Sequence, residues 1–148
     1  MLRERIQADL KQAQLEKNNI EVETLRLLWS EIRYTEIDQG RELDDAGIIS
    51  VVQREIKKRR EAVEGFRKGG REESVQKEEA EAGILAQYLP AQLSDEELNK
   101  IINQAIMETG AASVADMGKV ISIVIGKVAG RAEGARVSAR VKENLKLN

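Results

Sequence analysis

A single proline interrupts the 148 residues, and it stands at position 90 between two long runs of helix-type periodicity. Proline lacks the N–H that an interior helical turn needs, and it pushes the residue before it out of helical geometry. Pro90 is therefore the place where a chain otherwise rich in helix formers must break, and it predicts two subdomains, 1–90 and 91–148. Ala, Leu, Ile, Glu, Lys and Arg in quantity favour helix. Aromatic residues at 3% leave little material for a β-sandwich or barrel. The predicted fold class is all-α: an N-terminal helical bundle followed by a small C-terminal three-helix subdomain.

Apolar spacing locates the helices. Leu2, Ile6, Leu10 and Ala13 give a first helix over about 2–17, with Asn18-Asn19 as a turn. Leu25, Leu28, Trp29 and Ile32 give a second over about 21–38, stopped by Gly40. Asp44 or Asp45 caps a third, whose stripe is Ile49, Val52, Ile56, Val63 and Phe66 and which ends at Gly69-Gly70. A fourth covers REESVQKEEAEAGILAQYL and ends before Pro90. Beyond the proline, Ser94 and Glu97 form a capping box for a fifth helix over about 95–108. Ser113 and Asp116 mark a similar start for a sixth, about 114–127, with Met117, Ile121, Val124, Ile125 and Val128 as its apolar stripe. Gly118, Ser122 and Gly126 lie four apart on another side of that helix. An interior glycine costs about 1 kcal/mol relative to alanine, so this stripe predicts close packing by a neighbouring helix, with a ligand contact as the alternative. A seventh helix, about 134–146, turns Val137, Val141 and Leu145 inward and Arg136 and Arg140 outward.

The chain has no cysteine and no histidine. The first absence removes disulfides, a thiolate nucleophile and thiolate metal sites. The second removes the usual general base, the commonest metal ligand and any Ser–His–Asp triad. No phosphate-loop motif occurs. No catalytic residue, metal site or cofactor is predicted. The opening MLRERIQADLKQ is too charged for a secretory signal. The longest apolar run, VISIVIG at 120–126, is too short to span a bilayer. The expectation is a cytosolic protein with no membrane partner.

Charge is distributed unevenly. The formal net charge is −2, yet residues 117–148 hold seven Lys or Arg against two Glu. Lys119, Lys127, Arg131, Arg136, Arg140 and Lys142 are the candidate nucleic-acid-binding residues. Arginine forks hydrogen bonds to phosphate oxygens and lysine supplies a point charge. The segment has no aromatic side chain on which bases could stack, so recognition would rest on backbone and shape, as for structured RNA. The competing reading is a solvated helix surface. A second basic patch comprises Arg54, Lys57, Lys58, Arg59 and Arg60. It reads either as a solvated face, with Glu55 and Glu61 pairing across turns, or as a partner or RNA surface. The acidic run KEEAEAG at 77–83 reads as solvated helix.

Three segments, EIKKRREAVEGF, EEAEAGILAQYLPAQLSDEEL and ADMGKVISIVIGKVAGRAEG, resemble the YqeY-like family of bacterial proteins, and the resemblance covers essentially the whole chain. The C-terminal half is also similar to the tail domain of the B subunit of tRNA-dependent amidotransferases, and to a domain appended to some glutaminyl-tRNA synthetases. The resemblance implies two all-helical subdomains and a tRNA contact through the second. It also carries the label of a carbon–nitrogen ligase with glutamine as amido-N-donor. That chemistry needs an amidase nucleophile, an ammonia route and an activation site, and a shared appended domain does not supply them. Departures from the tail-domain pattern are Arg131 for the usual Lys, Ser138 for the usual Asn, and Arg136 and Arg140 at commonly apolar sites.

The leading expectation is a non-catalytic helical module that binds tRNA or another structured RNA through its C-terminal subdomain. It would act alone or as an adaptor for a synthetase or an amidotransferase subunit. The alternatives are a protein–protein adaptor without nucleic acid, and a component of the amide-transfer activity that the family label implies.

Overall fold

The computed structural model describes residues 1–147. They form seven α-helices and one 3₁₀ turn, with no strand among the described residues. In chain order the helices are α1 (Leu2–Leu15), α2 (Asn19–Gln39), α3 (Asp45–Lys68), α4 (Glu72–Ala86), α5 (Asp95–Thr109), α6 (Met117–Val128) and α7 (Gly134–Leu147), with the 3₁₀ turn at Val114–Asp116. The chain divides into two compact units, Met1–Leu89 and a second that begins at Pro90.

In the first unit, side-chain caps set the helix starts. Asn18 Oδ1 accepts from the Glu21 N–H at 3.3 Å and Asp44 Oδ1 from the Gly47 N–H at 2.8 Å. Gly40 ends α2 at φ 71°, where a side chain would be strained, and the Arg41 N–H turns back to the Glu36 carbonyl at 3.2 Å. The core joins Ile6 of α1, Leu25, Leu28 and Ile32 of α2, Val51, Val52 and Ile56 of α3, and Leu85 and Tyr88 at the end of α4. On α3, Ile48 is buried and the predicted Ile49 and Phe66 are only partly so.

Charged groups also enter this core. Glu36 is 5% exposed and accepts from the Leu43 N–H at 2.8 Å, from Arg33 at 3.3 Å and from Arg3. The Arg3 guanidinium also donates to the Leu43 carbonyl at 3.3 Å and lies 5.5 Å from the Trp29 ring centroid. Burial by itself would raise the Glu36 carboxyl. The Arg3 hydrogen bond, the Leu43 N–H and the two arginine charges outweigh it and hold the carboxyl below its ordinary value. Tyr88 donates to Asp9 Oδ2 at 2.6 Å beneath the Arg5 guanidinium, 4.9 Å from its ring centroid.

The acidic run of α4 is not simply solvated. Glu81 is buried and Glu78 partly so. Both face Arg59, whose Nε lies 2.9 Å from Glu81 Oε2 and 3.6 Å from Glu78 Oε2, ion-pair distances without the alignment of a hydrogen bond. Glu55, 2% exposed, completes the cluster from α3. Burial and the neighbouring Glu81 charge push the Glu78 carboxyl up, against the lowering pull of Arg59 and Lys77.

The second unit packs α5, α6 and α7 around Leu98, Ile102, Ala105, Val120, Val124, Val137 and Val141. The capping box at Ser94 and Glu97 forms in both directions, at 3.1 and 3.2 Å. The segment before α5 is tied to the α6–α7 turn by Leu93 N–H to the Arg131 carbonyl at 2.8 Å. The sixth helix departs from expectation in two ways. Its first turn is 3₁₀, and Asp116 Oδ2 accepts from the Ala112 N–H at 3.0 Å instead of Ser113 capping the helix. It also buries Val120, Val124 and Val128, leaving Ile125 46% exposed. A Cβ added at Gly118 or Gly126 would meet no heavy atom within 4 Å. The expected close helix is therefore not there, and the small-residue side is open.

Arg3→Ala is expected to destabilise the first unit by about 3 kcal/mol in denaturant unfolding, because it strands part of a buried charge while Arg33 and the Leu43 N–H remain. The Glu36 contribution is present above the ordinary carboxyl value of 4.5 and disappears as pH falls through its lowered folded value. Thermal stability should therefore drop on acidification from pH 6 to pH 3.5, and less steeply in Arg3→Ala.

Candidate functional site

The six candidate cations of the second unit come from α6, the α6–α7 turn and α7. Arg136 and Arg140 lie one turn apart on α7 and reach the same carboxylate. Arg136 Nη2 is 2.6 Å from Asp95 Oδ1, and Arg140 Nη2 is 2.7 Å from Asp95 Oδ2. Arg136 also donates to the Leu93 carbonyl at 2.8 Å. Asp95 is the first residue of α5, where free N–H groups favour negative charge. The Arg136 hydrogen bond, opposed by desolvation and aided by both arginine charges, holds its carboxyl below the ordinary value.

The remaining four divide. Lys127 Nζ is 3.0 Å from Glu108 Oε2, and that hydrogen bond, with the lysine charge, lowers the Glu108 carboxyl. Arg131 donates to the Val128 and Lys127 carbonyls at 3.0 and 3.2 Å, satisfying the C-terminal end of α6. Lys119 and Lys142 are exposed, and neither forms an ion pair among the described residues. Three of the six cations are thus tied to carboxylates and a fourth to the backbone. From Pro90 onward the chain has eight basic and seven acidic residues, so the strongly positive C-terminal segment belongs to a nearly neutral unit.

The second basic patch does not form one face. Arg59 is the centre of the buried carboxylate cluster, 11% exposed, which corrects its reading as a surface contact. Lys58 is exposed but pairs with Glu55 at 3.0 Å, as the spacing predicted for Glu55. Arg54 donates to Thr35 Oγ1 at 3.2 Å at the edge of a cleft of about 250 Å³, lined also by Arg41, Glu42, Asp44 and Ser50. Lys57 and Arg60 lie on the surface of α3. Among the described residues, no group of three His, Cys, Asp or Glu could hold a metal ion. No described helix is long and apolar enough to cross a membrane.

Sequence reasoning passed over Asp95 and Glu36, and it read Glu55 and Glu81 as solvated where the structure buries them. For the last three a signal exists: each stands in the three- or four-residue spacing of an apolar stripe, as Glu36 does four after Ile32 and Glu81 four before Leu85. For Asp95 there is none, because its partners lie 41 and 45 residues away.

Asp95→Asn should loosen two guanidinium groups at once, leaving Arg136 the Leu93 carbonyl and Arg140 the Glu143 carboxylate at 3.9 Å. The variant is expected to elute from a heparin column at higher salt than Glu96→Gln, which removes the same charge from an exposed site on the same turn. Equal elution would show that Asp95 does not restrain Arg136 and Arg140.

Comparison with known proteins adds relatives to this geometry. The chain is 31% identical over 129 residues, 83% of its own length and 71% of the relative's, to "Altered inheritance of mitochondria protein 41, mitochondrial" of Pyrenophora tritici-repentis. Proteins of the same name from Eremothecium gossypii and Lachancea thermotolerans are 34% and 35% identical over 58% and 57% of the chain. The matched segments span about half of those two relatives, 48% and 46%. These relatives are named as mitochondrial proteins, so the expectation of a cytosolic protein does not stand. The family model described as "Yqey-like protein" matches residues 3–145, and the chain belongs to the YqeY-like family.

Proposed function

We propose that the protein is a non-catalytic helical adaptor whose second unit docks another protein through the outward side of α6. The observation that carries this reading is the open stripe on that helix. Gly118, Ser122 and Gly126 are exposed with clear space beside the two glycines, and Ile125 is nearly half exposed next to them. Gly118 lies in the first turn of α6 and Gly126 in the last, where glycine costs less than the roughly 1 kcal/mol of a helix interior. No element of the unit uses the close approach that they permit. A partner helix would gain backbone proximity and the Ile125 side chain together.

An RNA-binding reading has a narrower basis. Lys119 and Lys142 are exposed, and Arg136 and Arg140 share Asp95, with Glu143 Oε2 3.9 Å from Arg140. Exposed ion pairs contribute little and are screened by salt, so a phosphate could compete for these arginines. The near balance of charge in the unit weighs against steep electrostatic attraction to a polyanion.

A photo-reactive amino acid in place of Ser122 tests the choice. Crosslinks to protein are expected in cells, unaffected by nuclease and reduced by Gly126→Leu, which fills the stripe while improving helix propensity. Adducts with RNA alone, or none, would overturn the adaptor reading. A tRNA titration at low salt with binding abolished by Arg136→Glu and Arg140→Glu would install the other.

A further inference from the structure

The first unit carries a different exposed apolar surface. Helix α2 buries Thr24, Leu25, Leu28, Ile32 and Glu36. Its opposite face shows Leu27, Tyr34 and Ile37 at 43, 70 and 75% exposure. Positions 27, 30, 34 and 37 alternate spacings of three and four, the seam of a two-helix coil, with Leu27 and Tyr34 at a, Ser30 and Ile37 at d. The flanks are segregated by sign. Arg26 and Arg33 occupy the g positions, and Glu31 and Asp38 the e positions.

That segregation identifies the occupant. We propose that the α2 face is a self-association seam, on which a second copy of the chain lays its own α2 parallel to the first across a two-fold axis. In a parallel pair each g residue meets the e residue five positions on in the other helix. Arg26 then meets Glu31 of the second copy, and Arg33 meets Asp38 of the second copy. Symmetry doubles both contacts. An antiparallel pair would instead oppose g to g and e to e, arginine to arginine and carboxylate to carboxylate. The charges thus complement a second copy in one orientation only.

Along the seam, Leu27, Tyr34 and Ile37 each meet their own copy, and the tyrosine rings can stack offset. Arg26, Glu31 and Asp38 form no ion pair among the described residues. Arg33 contacts Glu36 at 3.3 Å but is 53% exposed, and Glu36 keeps Arg3 and the Leu43 N–H if Arg33 turns outward. The seam is bounded by Glu23 at the preceding d position, which would face its own copy, and by Gly40 at the helix end. The eleven residues from Leu27 to Ile37 span about 15 Å, shorter than an autonomous coiled coil, so the dimer is weak and concentration-dependent. It is independent of the docking proposed on α6.

Sedimentation velocity of the full chain up to about 1 mM tests the inference. A reversible monomer–dimer equilibrium is expected. Ile37→Glu, at an exposed site where circular dichroism should show the fold unchanged, is expected to abolish it. Arg26→Glu and Glu31→Arg are each expected to weaken it about tenfold, since two attractive pairs become repulsive, and a one-to-one mixture of the two should recover wild-type association. The chain has no cysteine, so Ser30→Cys should give an intermolecular disulfide only where position 30 meets position 30. A monomer at every concentration, a dimer indifferent to Ile37→Glu, no recovery in the mixture, or no Ser30→Cys crosslink would overturn the proposal. Ile37→Glu should leave the Ser122 crosslinks intact, so failure here is distinguishable from failure of the adaptor reading.

Discussion

Glu36 can be buried because Arg3, Arg33 and the Leu43 N–H replace the water it loses. A carboxylate removed from water costs several kcal/mol unless charge and hydrogen bonds replace the solvent. Here one guanidinium from α1, one from α2 and the Leu43 N–H supply both. The same contact joins α1, the end of α2 and the segment entering α3, because Arg3 also donates to the Leu43 carbonyl. Between α3 and α4 the first unit relies on charge alone, with Arg59 at ion-pair distance from Glu55, Glu78 and Glu81. Its arginines are thus partly structural, and their number says less about external partners than their density in the sequence suggests.

The second unit uses charge differently. Asp95 and Glu108 are exposed, and their partners lie at the surface. These pairs organise side chains more than they stabilise the fold. Asp95 holds Arg136 and Arg140 in one orientation, and with Glu143 beside Arg140 it offsets much of their charge. The unit's apolar core, by contrast, is closed by α5, α6 and α7 without any buried ion. What it leaves uncovered is the side of α6 built from small residues and Ile125.

Helix identity was legible because it depends on local spacing. The caps at Asp44 and Ser94 and the stop at Gly40 appear where the sequence places them, and Asn18, read as a turn, caps α2, since each is decided by groups within four residues. The all-α class follows from the same local rules, and the YqeY-like resemblance from the segments on both sides of Pro90. Rotation of a helix about its axis was less legible. Ile48 displaced Ile49, and Val120 with Val124 and Val128 displaced the stripe through Ile125. Neighbouring positions on a broad apolar face differ by 100°, and only the position of the next helix selects between them.

The sequence by itself determined where the helices start and stop, that they are amphipathic, and that the terminal segment is basic. Those properties are set by contacts a turn or less apart. Only the tertiary structure decided which charges are available. It brought Asp95 to Arg136 and Arg140 across more than forty residues, drew Arg59 inside, and left α6 and the outer face of α2 bare. Pairing between charges distant in the chain depends on how packed helices meet, and no residue-by-residue count of Lys and Glu contains that information.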